Sequence, residues 1–553
     1  MKKFLNKLIE NRILDFVVIF CVSVVLMFQF FNKNNDIYAI EGKQYLIRAY
    51  WTYQSMKQNT TGNVISYFIN NFGYSLSLFE GQLHIYLLIC FGIIFNSFNI
   101  GFKVLILIAM FLAGCMMYKL IYQLTDNKNT AILAGIIYIT SPYFFTDIYV
   151  RHAIDEVIAF IFIPLVFLGL YNLYNTEKNH YYFILGMTGL ILTKNDCFVI
   201  TTIFAIIYSL VNVKNLSSTR VKRGFFIDLI FIISITSFYW MPLIQTRFFA
   251  NYKVYENDNI INKEEFINTA INIRALFITP NNTRFVLEVG FPIIVMLAFS
   301  MFTFKKMEDN KKEYMFFLLS GIFSMWIATK YFPWSFMPQS FLRIQYPWRM
   351  LQYSTFFFTI VASINMSTVI TNFRFRDVLI ISSICILYIF SRYYVVQYND
   401  NIVDVKDYAI GQVTGQNGEN IPGMGDLKYL PKKAFENTFY IATKQDEIKV
   451  MSNNCTIENQ EKDGSYFTAK ITTLEQSTEL ELPYIYYPGY TVRFDGMIMH
   501  THETKNGFVG INIDKNESGK LELNYTQTSL MKFSKIISLM VFICYLVYVW
   551  KKH

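Results

Sequence analysis

Apolar runs of roughly the length needed to cross a bilayer alternate with short polar stretches along most of the chain. They fall near 13–31, 102–122, 130–148, 156–174, 181–193, 197–212, 225–245, 287–304, 314–331, 350–371, 377–396 and 531–550. A further apolar run, 83–98, is shorter. Between about 397 and 530 the period changes. Gly411, Gly415, Gly418, Gly423 and Gly425 open this stretch, and 466–473, 490–494, 508–513 and 520–526 then alternate as strands do. Asp495-Gly496 between two such runs is a hairpin signal. The pattern predicts an all-α polytopic membrane protein of about twelve transmembrane helices, with an external β-sandwich domain before the last helix.

Charge orients these elements. Lys2, Lys3, Lys7 and Arg12 precede the first run, which no small-residue cleavage site follows, so it reads as a retained span with a cytoplasmic N-terminus. Were 83–98 to cross fully, the clusters Lys214/Arg220/Lys222/Arg223, Lys305/Lys306/Lys311/Lys312, Arg374/Arg376 and Lys551/Lys552 would all lie outside. As a re-entrant half-helix it leaves all four cytoplasmic. The expected organisation is therefore a domain over 1–396 with eleven spans, an extracellular β-rich domain over 397–530, and a final helix with a basic cytoplasmic tail over 531–553. The loops 32–101 and 246–286 fall outside. At 53% hydrophobic, 18% aromatic and 16% charged, the composition excludes a soluble globular protein of this length. The net charge of +9 sits in juxtamembrane runs and indicates anionic lipid as partner, not nucleic acid. Six of the seven cysteines lie in or beside apolar runs, so neither a disulfide framework nor zinc spacing is present.

Ionisable residues at span ends are costly and mark function or paired structure. In this orientation Glu41, Arg48, Arg151, His152, Asp155, Glu156, Lys194, Asp196, Arg343 and Arg349 all gather on the external side. Acids and bases on one membrane face suit chemistry on an anionic lipid headgroup: cations hold phosphate, and a carboxylate accepts the proton of an attacking hydroxyl. Each residue also has a plainer reading. Residues 41–58 make an interfacial helix with a solvated Glu41, Arg151 and Asp155 form an i,i+4 pair heading a helix, and Lys194 snorkels. His500 and His502 share a strand face, but without a third ligand no metal site is assigned.

Several strings resemble the GT-C superfamily of integral-membrane glycosyltransferases, and within it the YfhO-like and 6-pyruvoyl-tetrahydropterin synthase-related bacterial membrane proteins. In 41–48 (EGKQYLIR) Arg48 agrees, while Glu41 stands where relatives usually carry Asp and Tyr45 where His is frequent. Residues 73–87 follow a Gly-Tyr-Pro-Leu…Phe-Tyr-Pro-Pro pattern, with Ser75, Gly81 and Gln82 in place of prolines. Residues 151–171, Thr193-Lys194, 346–349 (YPWR), 429–431 (YLP) and 484–490 (YIYYPGY) resemble further family strings.

The resemblance implies a GT-C-like fold and transfer of a sugar from a polyprenyl-phosphate carrier. The acceptor would be a cell-envelope glycan or a teichoic-acid-like polymer at the external leaflet. Glu41 would be the general base or orient the acceptor, and Asp155 or Glu156 would position the acceptor or hold an optional divalent cation. Arg48, Lys194 and Arg349 would stabilise the departing phosphate. Tyr45, His84, Arg151, His152 and Arg343 would complete the binding surface. No other cofactor is implied. The rival expectation is a non-catalytic transporter or assembly factor for envelope polysaccharide. A transporter would place charges at mid-membrane on paired repeats. Asp147 and Lys119 lie near span ends instead, and no repeat is evident.

Overall fold

The structure is a computed structural model describing residues 12–31, 40–58, 62–176, 179–216, 218–256, 262–277, 286–306, 311–370, 372–393, 412–414, 420–422, 427–453 and 455–552. The glycine-rich opening of the polar domain and Lys2, Lys3 and Lys7 of the first basic cluster lie outside these residues. The helices that frame the molecule are α1 (Arg12–Met27), α2 (Ile40–Lys57), α3 (Leu83–Ile94), α4 (Phe98–Thr125), α5 (Lys128–Ile139) and α6 (Pro142–Arg151). There follow α7 (Ile154–Tyr171), α8 (Tyr181–Thr193), α9 (Asn195–Val211), α10 (Thr219–Ile235) and α11 (Ser237–Phe249). Then come α12 (Phe291–Ala298), α13 (Lys311–Ile327), α14 (Leu351–Val369) and α15 (Phe375–Tyr393), and α16 (Ser529–Lys552) closes the chain.

The expectation of about twelve transmembrane helices in a polytopic bundle is overturned. Among the described residues three helices are long and apolar enough to cross a membrane: Phe98–Thr125, Ile154–Thr176 and Ser529–Lys551. Two bent pairs, α5 with α6 at 44° and α10 with α11 at 65°, bring the number to five if each is one span. The remaining apolar runs fail for local reasons. The stretch 181–212 breaks at Lys194 into helices of 13 and 17 residues. The run 287–304 breaks at Phe299. The α14 helix has the length but buries Gln352, Ser354, Thr355, Thr359, Ser363 and Asn365 inside the protein, too polar a set for lipid. At 12 residues, α3 measures about 18 Å and cannot cross.

The helical part shares one apolar core. Glycines let its helices approach closely. A methyl group on Gly169 of α7 would meet the Phe183 backbone nitrogen of α8 at 2.1 Å, and one on Gly135 of α5 would meet the Gly114 carbonyl oxygen of α4 at 2.8 Å. By contrast α16 leaves Ile536, Leu539, Ile543, Leu546 and Val547 exposed along its length.

Two antiparallel sheets precede α16, after a short hairpin β1 (Gln412–Thr414) and β2 (Asn420–Pro422). The strands are β3 (Lys449–Val450), β4 (Cys455–Asp463), β5 (Tyr466–Thr473), β6 (Thr478–Ile485), β7 (Tyr490–Phe494), β8 (Met497–Met499), β9 (His502–Glu503), β10 (Phe508–Ile513) and β11 (Ser518–Tyr525). One sheet runs β3-β6-β10-β9 and the other β4-β5-β11-β7-β8. Alternate residues turn inward: Phe467, Ala469 and Ile471 of β5 face the same core as Leu521 and Leu523 of β11, and Leu480, Leu482 and Ile511 come from the other sheet. The hairpin between β7 and β8 turns at Asp495 and Gly496, both with positive φ (44° and 82°), as the Asp-Gly pair requires.

This sheet layer rests on the segment between α2 and α3. The Ile485 amide donates to the Phe72 carbonyl (2.9 Å), and Gln58 donates to the Asp463 carboxylate (2.8 Å). Lys253 and Lys432 exchange main-chain bonds with Leu430 and Asn251. These contacts hold the Leu427–Tyr429 turn against Phe79 and Glu80, just ahead of α3.

Candidate functional site

The helix α6 ends in a π-helical turn, Thr146–Arg151, closed by His152 in the left-handed region (φ 57°, ψ 39°). The widened turn sets Asp147 and Arg151 side by side, Nη1 to Oδ1 at 2.6 Å. The chain then re-enters α7, whose first turn carries Asp155 and Glu156, where the helix N-terminus favours negative charge.

Glu156 is enclosed. Arg151 donates to both of its oxygens (2.8 and 2.9 Å), Tyr143 donates its hydroxyl (3.0 Å), and Arg349 Nε lies 3.2 Å away. Arg151 also donates to both oxygens of Glu41 from α2, at 3.0 and 3.1 Å, and its guanidinium lies over the Trp348 ring, 4.8 Å from the centroid. Asp155 accepts from Lys194 Nζ at 2.6 Å, from the Glu156 amide at 2.8 Å and from the Tyr45 phenol. Arg349 reaches Asp196 at 3.3 Å and the Ile344 carbonyl at 3.2 Å. Four stretches of chain far apart in sequence thus bring one alternating set of acids and bases together.

At the open side of this set stands a second group. His84, at the start of α3, is 4% exposed, packs edge-on against Tyr45 at 5.3 Å, and has a buried Nδ1 without a hydrogen-bond partner. Burial is the main cause that pushes it down to about 4, so the imidazole is neutral. Glu80, three residues before α3, accepts a hydrogen bond from Tyr429 at Oε1, with Lys428 Nζ at 4.0 Å from the same oxygen. Burial alone would raise its carboxyl, but Lys428, Arg48, the Tyr429 bond and Lys194 together hold it below the usual carboxylate range. Burial likewise opposes the charge on Lys194, and the Asp155 carboxylate overrides it and raises the amine. Arg48 is half-buried, and its Nε is buried without a hydrogen-bond partner.

The structure therefore joins Glu41, Tyr45, Arg48, His84, Arg151, Asp155, Glu156, Lys194 and Arg349. It does not add His152 or Arg343. His152 is fully buried between the rings of Phe30 and Phe102, and Arg343 is exposed on the turn Gln339–Ile344 with no contact to the set among the described residues. The i,i+4 pairing expected of Arg151 and Asp155 is also corrected. The π turn and left-handed His152 rotate Arg151 onto Asp147, Glu156 and Glu41, leaving Asp155 to Lys194. Asp147, Glu80, Lys428, Tyr429, Tyr143 and Trp348 were missed as site residues. Only Asp147, four residues before Arg151, had a spacing that could have revealed it. Among the described residues no group of three or more His, Cys, Asp or Glu side chains could hold a metal ion.

No protein-family model matches the chain. It is similar to an uncharacterized protein of Lactococcus lactis subsp. cremoris, 21% identical over 589 residues, an alignment covering 96% of this chain and 94% of the relative.

Proposed function

We propose that the protein is a membrane glycosyltransferase that takes a sugar from a polyprenyl-phosphate carrier and places it on a cell-envelope glycan or teichoic-acid-like acceptor. In this reading 397–530 and the open side of the charged set lie at the external leaflet. The observation that supports it best is the meeting of Arg48, Lys194 and Arg349 beside Asp155, Tyr45 and a neutral His84, next to helices apolar enough to enter a membrane. Three cations at one rim suit a lipid-linked phosphate, whose charge grows as the glycosidic bond breaks. Arg151, bound to Glu41, Asp147 and Glu156, forms the rigid floor that keeps those cations apart. With both oxygens occupied by Arg151, Glu41 serves that floor rather than the acceptor proton.

The lipid-linked sugar pool tests this. A deletion strain should accumulate one polyprenyl-phosphate glycolipid, detected by mass spectrometry of lipid extracts. The wild-type gene should clear it and a Lys194→Met allele should not. A pool unchanged by deletion would contradict the proposal.

A further inference from the structure

We propose that Glu80, held by Tyr429 and flanked by Lys428 and Arg48, is the acceptor-hydroxyl subsite, where the Glu80 carboxylate takes the proton of the attacking hydroxyl. The inference rests on the transferase reading and names a residue for a step left open there.

Elimination leads to Glu80. Both oxygens of Glu41 accept from Arg151, as do both of Glu156. Asp155 is taken by Lys194, Tyr45 and a main-chain amide. Asp147 is fully buried. Three side chains are similarly exposed, Glu80 at 39%, Glu41 at 35% and Asp196 at 34%, and of these only Glu80 and Asp196 are not forked by Arg151 on both oxygens. Asp196 is tied to Arg349, a cation assigned to the phosphate. On Glu80, Tyr429 and Lys428 both address Oε1, and Oε2 has no hydrogen-bond partner among the described residues.

The surroundings are built around that free oxygen. Tyr429 stacks on Phe79 with centroids 5.0 Å apart, which fixes its hydroxyl on the neighbouring Glu80. Gly81 lets the turn lie against the end of α8: a methyl group there would meet the Leu192 carbonyl at 2.5 Å, two residues before Lys194. The turn therefore carries an open carboxylate to the rim of the phosphate-binding cations, and the unpartnered His84 Nδ1 and Arg48 Nε lie beside it. An acceptor bound here spans the sheet layer, through Tyr429 and Lys428, and the helical layer, through Glu80. In the transfer the acceptor oxygen bonds to the anomeric carbon, and its proton passes to Glu80 Oε2. The bond from that carbon to the carrier phosphate breaks, and its electron pair stays on the phosphate.

The experiment uses full-length protein. The glycolipid pool is measured in a deletion strain carrying wild-type, Glu80→Gln, Tyr429→Phe or Asp196→Asn alleles, and the purified proteins in nanodiscs are titrated with undecaprenyl phosphate. Glu80→Gln should leave the glycolipid uncleared while binding undecaprenyl phosphate as wild type does. Tyr429→Phe should slow clearance about tenfold, as loss of a hydrogen bond to a charged group does. Clearance by Glu80→Gln at the wild-type rate would overturn the assignment and leave the transferase reading standing. So would unchanged clearance by Tyr429→Phe, should Glu80→Gln fail to fold. No accumulation in the deletion strain itself would remove the transferase reading and this subsite together.

Discussion

Arg151 and Glu41 are joined by two parallel hydrogen bonds, Nε to Oε1 at 3.0 Å and Nη2 to Oε2 at 3.1 Å. This fork crosses from the end of α6 to the first turn of α2 and ties α2 to the helical core. The same guanidinium serves Asp147 and Glu156, so its loss strands buried carboxylates. Arg151→Met is expected to cost about 3–5 kcal/mol. Glu41→Gln keeps a hydrogen-bonding side chain and should cost about 1 kcal/mol. Thermal melting of the purified proteins checks both. Glu41→Gln should still clear the lipid-linked sugar, and complete loss of clearance in a variant that melts normally would restore Glu41 as the base.

Gly81 makes a second prediction. Its missing side chain allows the Glu80 turn to abut the carbonyls of Ile191 and Leu192. In Gly81→Ala a backbone must shift, because the obstructing atoms are main chain. Glycolipid clearance should fall by up to about a hundredfold, the effect of misplacing a reacting group by about an ångström. Undecaprenyl phosphate binding should change little. Full activity in Gly81→Ala would show that the position of the turn is unimportant.

The two sheets should gain stability as pH rises from about 8 to 9.5. Burial pushes Lys444 and Lys462 down to about 8, with opposing pulls from Glu481 and Asp446 respectively. Unfolded, a lysine titrates near 10.4. Between these values the unfolded chain binds more protons than the folded one, so unfolding becomes harder as pH increases. The gain is roughly 1–2 kcal/mol for each lysine over that window. Above it, buried Tyr440 and Tyr484, both raised chiefly by burial, oppose the trend. Hydrogen exchange over 449–525 in the full-length protein, corrected for intrinsic rates, measures the effect. Lys462→Met should halve the slope, and a slope of opposite sign would contradict the account.

Much of the charged set was legible because ionisable residues stand out against apolar runs. The strands were legible for a similar reason: the alternation at 466–473 reports a half-buried strand directly, and the observed strands are Tyr466–Thr473 and Phe508–Ile513, the second buried at all but Asn512. Glu80 was not, since it sits in a polar turn and its partner Tyr429 lies 349 residues away. The partners of Arg151 were misread because i,i+4 spacing assumes a continuous helix, and the π turn with left-handed His152 breaks it. The number of membrane-crossing helices was misread for another reason. A helix buried among other helices and one facing lipid have similar apolar content. Breaks such as Lys194 and the polar interior of α14 separate the two only once the packing is known.

The central claim is sugar transfer at this charged rim, and compositional analysis of envelope glycans tests it most directly. Glycans from a deletion strain should lack one sugar that wild-type protein restores and Lys194→Met does not. Identical glycan composition with and without the gene would contradict the account.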